Sequence, residues 1–172
     1  QWTGTEAPGY GNGTAAYRTE NGKDVVYLTA DSQSSGFPSL YRYTLGDVRN
    51  GGTDTWEKIG VMENGVAFSG AGTIDTKHNL YIRTAQNFGK YTAELIVWDI
   101  SKANAADPNA NKDISIQLIR EDGTPFPITG AFGVEYDVAN DQILLWDGTD
   151  KGTVWAVKIA YDSNGKILTS LT

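Results

Sequence analysis

The chain has 172 residues, a formal net charge of -7 at pH 7, one His and no Cys. This length suits one domain with a buried core; the lack of Cys excludes disulfides, thiol catalysis and cysteine-ligated zinc, and a single His excludes a multi-histidine metal centre. The acidic balance disfavours nucleic acid as a partner, because phosphates are met by clustered Lys and Arg, and no apolar run reaches the roughly 18–20 residues of a membrane helix.

The chain consists mainly of short β-branched and aromatic runs separated by Gly, Asn and Asp, which predicts an all-β fold. In chain order, the first four predicted strands lie at 13–16, 24–28, 39–45 and 55–59. The next four lie at 70–73, 79–82, 94–100 and 114–119. The last four lie at 130–133, 142–146, 153–159 and 166–171. Each group opens with a glycine-led segment of small residues, so the sequence contains three repeated units.

The segment 101–112 is the main interruption of this pattern. It contains residues that favour helix, but it has no apolar stripe and it includes Pro108. A long loop with at most one helical turn is therefore predicted.

The three units, at about 13–61, 70–120 and 130–172, have the four-strand order typical of β-propeller blades, each a four-stranded antiparallel sheet. Small residues in the first strand allow neighbouring backbones to approach near a central axis. The middle strands lie between adjacent blades, so both of their faces are buried and their apolar runs become continuous. A β-sandwich of about a dozen strands remains the alternative.

Three stretches carry a resemblance to a known family. They are Ser39-Leu40-Tyr41-Arg42-Tyr43 followed by Thr55-Trp56, the hairpin at 136–148, and the strand at 79–82. In these stretches the chain resembles kelch and galactose-oxidase-like β-propellers, which implies a propeller fold. The family's diglycine after the second strand is replaced here by Thr29-Ala30, Thr84-Ala85 and Asp147-Gly148. The copper-radical chemistry of galactose oxidases is excluded, because it needs two His and a Cys cross-linked to Tyr.

Three blades are too few for a closed propeller, which has about 4–8. The chain begins with Gln1 rather than Met and ends in an apolar run, and we therefore expect a partial propeller cut from a longer one. Its partners would then be the remaining blades or further copies of itself. The abundance of Thr, Asn, Gly, Trp and Tyr favours a secreted or cell-surface protein.

One loop has the spacing of a calcium site. Oxygen-bearing side chains occupy every second position, at Asp107, Asn109, Asn111 and Asp113. Calcium prefers six to eight such oxygens. The glycine and the bidentate glutamate that close an EF-hand loop are replaced by Lys112 and Leu118, so an ordinary Asn-rich loop is the competing interpretation. No other cofactor is indicated.

No catalytic constellation is visible, and whether the chain is an enzyme stays open. The only His, His78, lies in a predicted polar turn, where a structural or solvent-facing role is favoured. The sequence predicts an exported, non-catalytic binding or adhesion module that presents loops to a glycan or protein partner. The alternatives are a fragment of a propeller enzyme acting on glycans and a structural subunit of an extracellular assembly.

Overall fold

The computed structural model describes residues 13–31, 38–63, 70–87, 92–124, 126, 132–147 and 152–169. Over these residues the chain is all-β, as predicted, with three antiparallel sheets and no α-helix. The described part of the chain contains three single turns of 3-10 helix, at Val48–Asn50, Ile100–Lys102 and Pro108–Ala110. Within the same residues, no helix has the length and apolar character needed to cross a membrane.

Sheet 1 is a four-stranded meander built from the first unit. Its strands are β1 (Thr14–Glu20), β2 (Lys23–Asp31), β3 (Pro38–Thr44) and β4 (Thr55–Val61), in that order across the sheet. Asn21 and Gly22 join β1 to β2 with φ values of 49° and 75°. Positive φ at both positions is the geometry of the tight hairpin turns that match the twist of the strands.

Sheet 2 repeats this meander with β5 (Gly72–Asp75), β6 (Leu80–Asn87), β7 (Thr92–Asp99) and β8 (Ile114–Gln117). Sheet 3 has three strands, β9 (Phe132–Asp137), β10 (Gln142–Asp147) and β11 (Val154–Val157). The strand predicted at 166–171 is replaced, over its described part, by a single bridge between Tyr161 and Ile167. The chain reverses in a tight turn at 162–165. The segment after the turn therefore pairs with the residues just before it, around Tyr161, and not with β11.

The three sheets pack face to face, and their first strands are neighbours: β1 contacts β5, and β5 contacts β9. Sheet 2 is consequently buried on both faces. Leu80, Ile82, Leu95 and Val97 pack towards sheet 3. Tyr81, Ile96 and Trp98 pack towards sheet 1. This alternation explains why the apolar runs at 80–82 in β6 and 95–98 in β7 are continuous.

Two glycines at the start of the second unit permit β6 to pack closely against β5 and the segment that leads into it. A Cβ at Gly72 would lie 2.3 Å from the hydroxyl oxygen of Tyr81, and one at Gly70 would lie 2.5 Å from the carbonyl oxygen of Thr84. Any side chain at either position would therefore push β6 away from the segment that leads into β5.

The loop between β7 and β8 returns to sheet 1 and covers its outer edge. Asn111 donates from Nδ2 to the carbonyl oxygen of Ile59 at 3.1 Å, and its own carbonyl accepts from the backbone N–H of Val61 at 3.0 Å. Lys112 forms a parallel bridge with Val61. The free edge of β4 is thus paired, which protects it from edge-to-edge association.

Candidate ligand-binding site

The turn between β5 and β6 is built around the carboxylate of Asp75. Its Oδ1 accepts hydrogen bonds from the backbone N–H groups of Lys77 at 3.0 Å and His78 at 2.9 Å. The turn closes at Asn79, whose φ of 57° is left-handed. Asn tolerates this region better than most residues because its short side chain bonds locally.

The turn between β9 and β10 repeats this construction in the next sheet. Oδ1 of Asp137 accepts from the backbone N–H groups of Ala139 at 3.1 Å and Asn140 at 3.3 Å. Asp141 then takes the left-handed position, with φ 52°. Asn140 and Gln142 also donate to Oδ2 of Asp137, and these bonds lower the pKa of Asp137. Because β5 and β9 are neighbours, the two turns lie side by side.

Where the two turns meet, a histidine and two carboxylates come together. Nδ1 of His78 lies 2.7 Å from Oδ2 of Asp75 and 3.8 Å from Oδ1 of Asp141. Asp75 is buried, with a relative exposure of 3%. An ionised carboxylate only accepts hydrogen bonds, so Nδ1 of His78 is the donor. In the neutral imidazole, Nε2 is then left as an acceptor.

Asp141 joins the two turns through its charge. Lys77 forms an ion pair with its Oδ2 across the junction, and the hydroxyl of Tyr136 donates to its Oδ1 at 2.8 Å. The bonds from Lys77 and Tyr136 lower the pKa of Asp141. Burial, together with the hydrogen bond to Asp141, raises the pKa of Tyr136. Tyr136 is therefore a neutral donor and Asp141 an ionised acceptor at neutral pH.

A cavity of about 200 Å³ opens beside this cluster. Its polar wall includes Asp75, His78 and Asp141, and its apolar floor includes Ile143 and Ile159. This volume is below the roughly 300–1,000 Å³ of pockets for drug-sized ligands. The cavity therefore suits one small ring or side-chain-sized group.

Tyr161 forms an exposed aromatic wall of the same cavity. Its ring centroid lies 5.4 Å from that of His78, and 36% of the residue is exposed. Partial burial and the negative charges of Asp75 and Asp141 raise the pKa of Tyr161. The hydroxyl is therefore neutral under ordinary conditions.

Comparisons of the chain with protein-family profiles, with characterised proteins and with solved structures found no match. Fold alone does not determine activity. The chemistry of this cavity is therefore the basis for assigning a function.

The carboxylates and the imidazole are close enough to share a cation. One ligand atom each from Asp75, His78 and Asp141 lie within 4.8 Å of one another. The ammonium group of Lys77, however, already neutralises Asp141, and Nδ1 of His78 is engaged by Asp75. The arrangement favours hydrogen bonding to a neutral polar ligand over metal binding.

The four residues of the predicted calcium loop differ in their exposure to solvent. Asp107 and Asn109 are exposed, whereas Asn111 and Asp113 are buried at 1% and 2% exposure. The buried pair contacts sheet 1, with Oδ1 of Asp113 accepting from the backbone N–H of Glu63 at 2.6 Å. These contacts give Asn111 and Asp113 a packing role, and calcium binding by the loop stays a prediction.

Of the residues around the cavity, His78 stands out in the sequence as the only His, whereas Asp75, Asp141 and Tyr161 do not. The sequence does contain a pattern that points to the two aspartates. The turns Asp75-x-x-His78-Asn79 and Asp137-x-x-Asn140-Asp141 have the same spacing in consecutive units. Repeated turns in adjacent sheets lie close together. Nothing comparable points to Tyr161, which lies between β11 and the turn at 162–165.

Proposed function

We propose that this chain is an exported, non-catalytic binding module of the β-propeller type, resembling kelch and galactose-oxidase-like propellers, and that it holds a sugar ring of a glycan in the cavity between sheets 2 and 3. The observation that carries the proposal is the exposed ring of Tyr161 beside the imidazole of His78, which Asp75 holds in one orientation.

The chemistry of the cavity matches a polyhydroxylated ring. An exposed aromatic face packs against the C–H face of a sugar, and a fixed acceptor takes a hydrogen bond from a sugar hydroxyl. Tyr161 provides such a face, and Nε2 of His78 is such an acceptor. Because Asp75 fixes the imidazole before a ligand arrives, little conformational entropy is lost on binding.

The propeller assignment rests on the repeated packing of the sheets. Three antiparallel meanders follow one another with their first strands adjacent, and a Cβ at Gly72 in β5 would lie 3.2 Å from Oγ1 of Thr14 in β1. Blades around an axis have this arrangement.

Calorimetric titration with a panel of monosaccharides tests the binding role. At least one sugar is expected to bind the chain, and the substitution Tyr161→Ala should weaken that binding roughly tenfold or more, because a stacking face is lost. Tyr17→Ala is the matched control, since Tyr17 is an exposed tyrosine on sheet 1, remote from the cavity. A panel without any binder, or equal losses in both variants, would overturn the proposal.

One observation favours a second candidate, a fragment of a propeller enzyme acting on glycans. A carboxylate that orients a histidine is the arrangement of a general base, and Asp75 orients His78 in this way. If the chain is catalytic, it should release product from a glycoside panel, and His78→Gln should abolish that release. Sugar binding without turnover would decide for the binding module.

A further inference from the structure

The floor of the cavity between sheets 2 and 3 is made of aliphatic side chains of sheet 3. Ile143 of β10 is paired with Val157 of β11, so the two side chains lie on the same face of the sheet. Both belong to the face that packs towards sheet 2, as does Ile159 two positions further along the chain. All three residues line the cavity. Their side chains present only methyl and methylene groups to a ligand.

The alternation along β11 separates this floor from the opposite face of sheet 3. Val154 is 60% exposed, whereas Val157 is partly buried. Successive side chains of a strand point to opposite faces, and these two valines are three positions apart. Val154 therefore lies on the face that is directed away from the cavity.

The polar wall of the cavity has few hydrogen-bonding sites left for a ligand. Asp75 already accepts from two backbone N–H groups and from Nδ1 of His78. Asp141 accepts from the ammonium group of Lys77 and from the hydroxyl of Tyr136. A carboxylate has about four lone-pair sites, so most of these sites are occupied. The hydroxyls of a sugar are met here by Nε2 of His78 and by the remaining sites of Asp141.

This contrast between wall and floor selects among sugars. A hexose carries hydroxyl groups around its whole ring, including the one on carbon 6, and a hydroxyl that lies against the floor loses water without gaining a partner. A 6-deoxyhexose has a methyl group on carbon 5 in place of the hydroxymethyl group, and contact between methyl groups and hydrocarbon is favourable.

These observations together identify a class of sugar. We propose that the cavity takes a 6-deoxyhexose residue, with its methyl group on the floor formed by Ile143, Val157 and Ile159. The hydroxyls on the other side of the ring face His78, and the C–H face of the ring packs against Tyr161. This inference rests on the proposed sugar-binding function and specifies which sugars the site prefers.

An N-acetyl sugar fits the same cavity less well, although its acetyl group also ends in a methyl. The amide N–H and the carbonyl oxygen of that group need partners of their own, and the floor side chains provide none. The acetyl group also enlarges the ligand, whereas the cavity of about 200 Å³ is already smaller than most ligand pockets.

Calorimetric titration of the unaltered chain with matched pairs of sugars tests the proposal. Each pair consists of a hexose and its 6-deoxy counterpart: L-galactose with L-fucose, L-mannose with L-rhamnose, and D-glucose with 6-deoxy-D-glucose. In at least one pair the 6-deoxy sugar should bind roughly 10- to 100-fold more tightly, the range that an apolar pocket achieves against one additional hydroxyl. N-acetyl-D-glucosamine should bind more weakly than that 6-deoxy sugar.

The substitution Val157→Thr tests whether the floor is the source of the preference. Threonine has nearly the shape of valine but adds a hydroxyl, which gives the hydroxyl on carbon 6 a partner. The variant should therefore bind the two sugars of the pair with nearly equal affinity. Val154→Thr is the matched control, because it makes the same change in the same strand on the opposite face, and it should keep the full preference. Circular dichroism melting checks that both variants fold.

The outcomes separate this inference from the proposed function on which it rests. If every hexose binds as tightly as its 6-deoxy counterpart, or if N-acetyl-D-glucosamine binds most tightly, the inference is wrong while sugar binding at the cavity stands. A preference for the 6-deoxy sugar that Val157→Thr leaves unchanged would also refute it. A panel in which no sugar binds would remove both the inference and the proposed function.

Discussion

The hydroxyl oxygen of Tyr81 lies 2.6 Å from Oγ1 of Thr14, although 67 positions separate the two residues in the chain. Thr14 also bonds Oγ1 of Thr29 at 2.7 Å, and Nη1 of Arg83 donates to the same Thr29 oxygen at 2.9 Å. All four residues are buried. This network joins sheets 1 and 2 near their first strands. Its loss should therefore lower the free energy of unfolding of the whole chain.

Tyr81 should make the fold sensitive to alkali. Burial raises the pKa of Tyr81 from 10.0 to about 12. The unfolded chain therefore releases this proton at a lower pH than the folded chain. The contribution of the neutral phenol is complete below pH 10 and is lost as the pH rises towards 12. Urea unfolding at a series of pH values should show stability falling across this interval.

The substitution Tyr81→Phe separates the hydrogen bond from the titration. At pH 7 it should lower the free energy of unfolding by about 0.5–1.5 kcal/mol, the net value of one hydrogen bond. Above pH 10 the variant should lose stability less steeply than the unaltered chain. Tyr17→Phe, at an exposed position, is the control. Parallel alkaline limbs for the unaltered chain and Tyr81→Phe would contradict this account.

Replacing the glycine at position 72 by any other residue should destabilise the fold. Gly72→Ala places a methyl group against the buried hydroxyl of Tyr81, and overpacking of this kind costs about 1–3 kcal/mol. Gly13→Ala is the matched control, because the nearest atom to its Cβ is the carbonyl oxygen of Thr29 at 3.8 Å, an ordinary contact. Thermal melting should show a clear loss for Gly72→Ala and little change for Gly13→Ala. Equal melting temperatures would disprove the close approach.

The loop that covers β4 should contribute to stability through Asn111. Asn111→Ala removes the hydrogen bond to the buried carbonyl of Ile59 and should cost about 1–3 kcal/mol. Asn109→Ala, two positions earlier and exposed, should change stability little. Denaturant unfolding of both variants makes the comparison. A larger effect at Asn109 would indicate that the loop does not rest on sheet 1 through Asn111.

Calcium binding by the same loop is tested separately. If Asp107, Asn109, Asn111 and Asp113 ligate the ion, calcium should raise the melting temperature, a chelator should reverse the rise, and Asn109→Ala should reduce it. No heat of binding and no shift in melting temperature would remove the calcium site.

Asp141 should contribute to stability against acid. Its pKa is lowered by Lys77 and Tyr136, so the ionised carboxylate stabilises the fold above the ordinary value of 3.8. That contribution is lost as the pH falls through the lower value of the folded chain. Melting temperatures between pH 6 and pH 2 should fall less steeply for Asp141→Asn than for the unaltered chain. Asp107→Asn, at an exposed aspartate, is the control; equal slopes for Asp141→Asn and the unaltered chain would refute the prediction.

Much of the fold was predictable because the signals are local. Continuous apolar runs mark the middle strands, so the prediction at 142–146 matches β10 (Gln142–Asp147) almost residue for residue. The prediction at 166–171 differed, because its apolar run has the composition of a strand but pairs back across its own turn to Tyr161. The docking of Asn111 on Ile59 has no local signal, since it joins residues 52 positions apart.

The site was less predictable than the fold. His78 was visible as the only histidine, and the turns around it were recognisable from their Asn and Asp residues. Its orientation depends on Asp75, a bond within one turn, but the cavity depends on two sheets meeting and on Tyr161 arriving from a third segment. Such contacts follow from the packing of units, which a single sequence indicates only through the spacing of its repeats.

The most direct test of the proposed sugar site uses His78 as a unique reporter. Because the chain has one histidine, a two-dimensional nitrogen NMR spectrum of the imidazole contains a single set of ring signals. On titration with the sugar that binds most tightly, the Nε2 signal of His78 should shift and saturate at the calorimetric affinity, while Nδ1 keeps the signature of its bond to Asp75. Saturable shifts of backbone signals elsewhere, with both ring nitrogens of His78 unchanged, would contradict the proposed site.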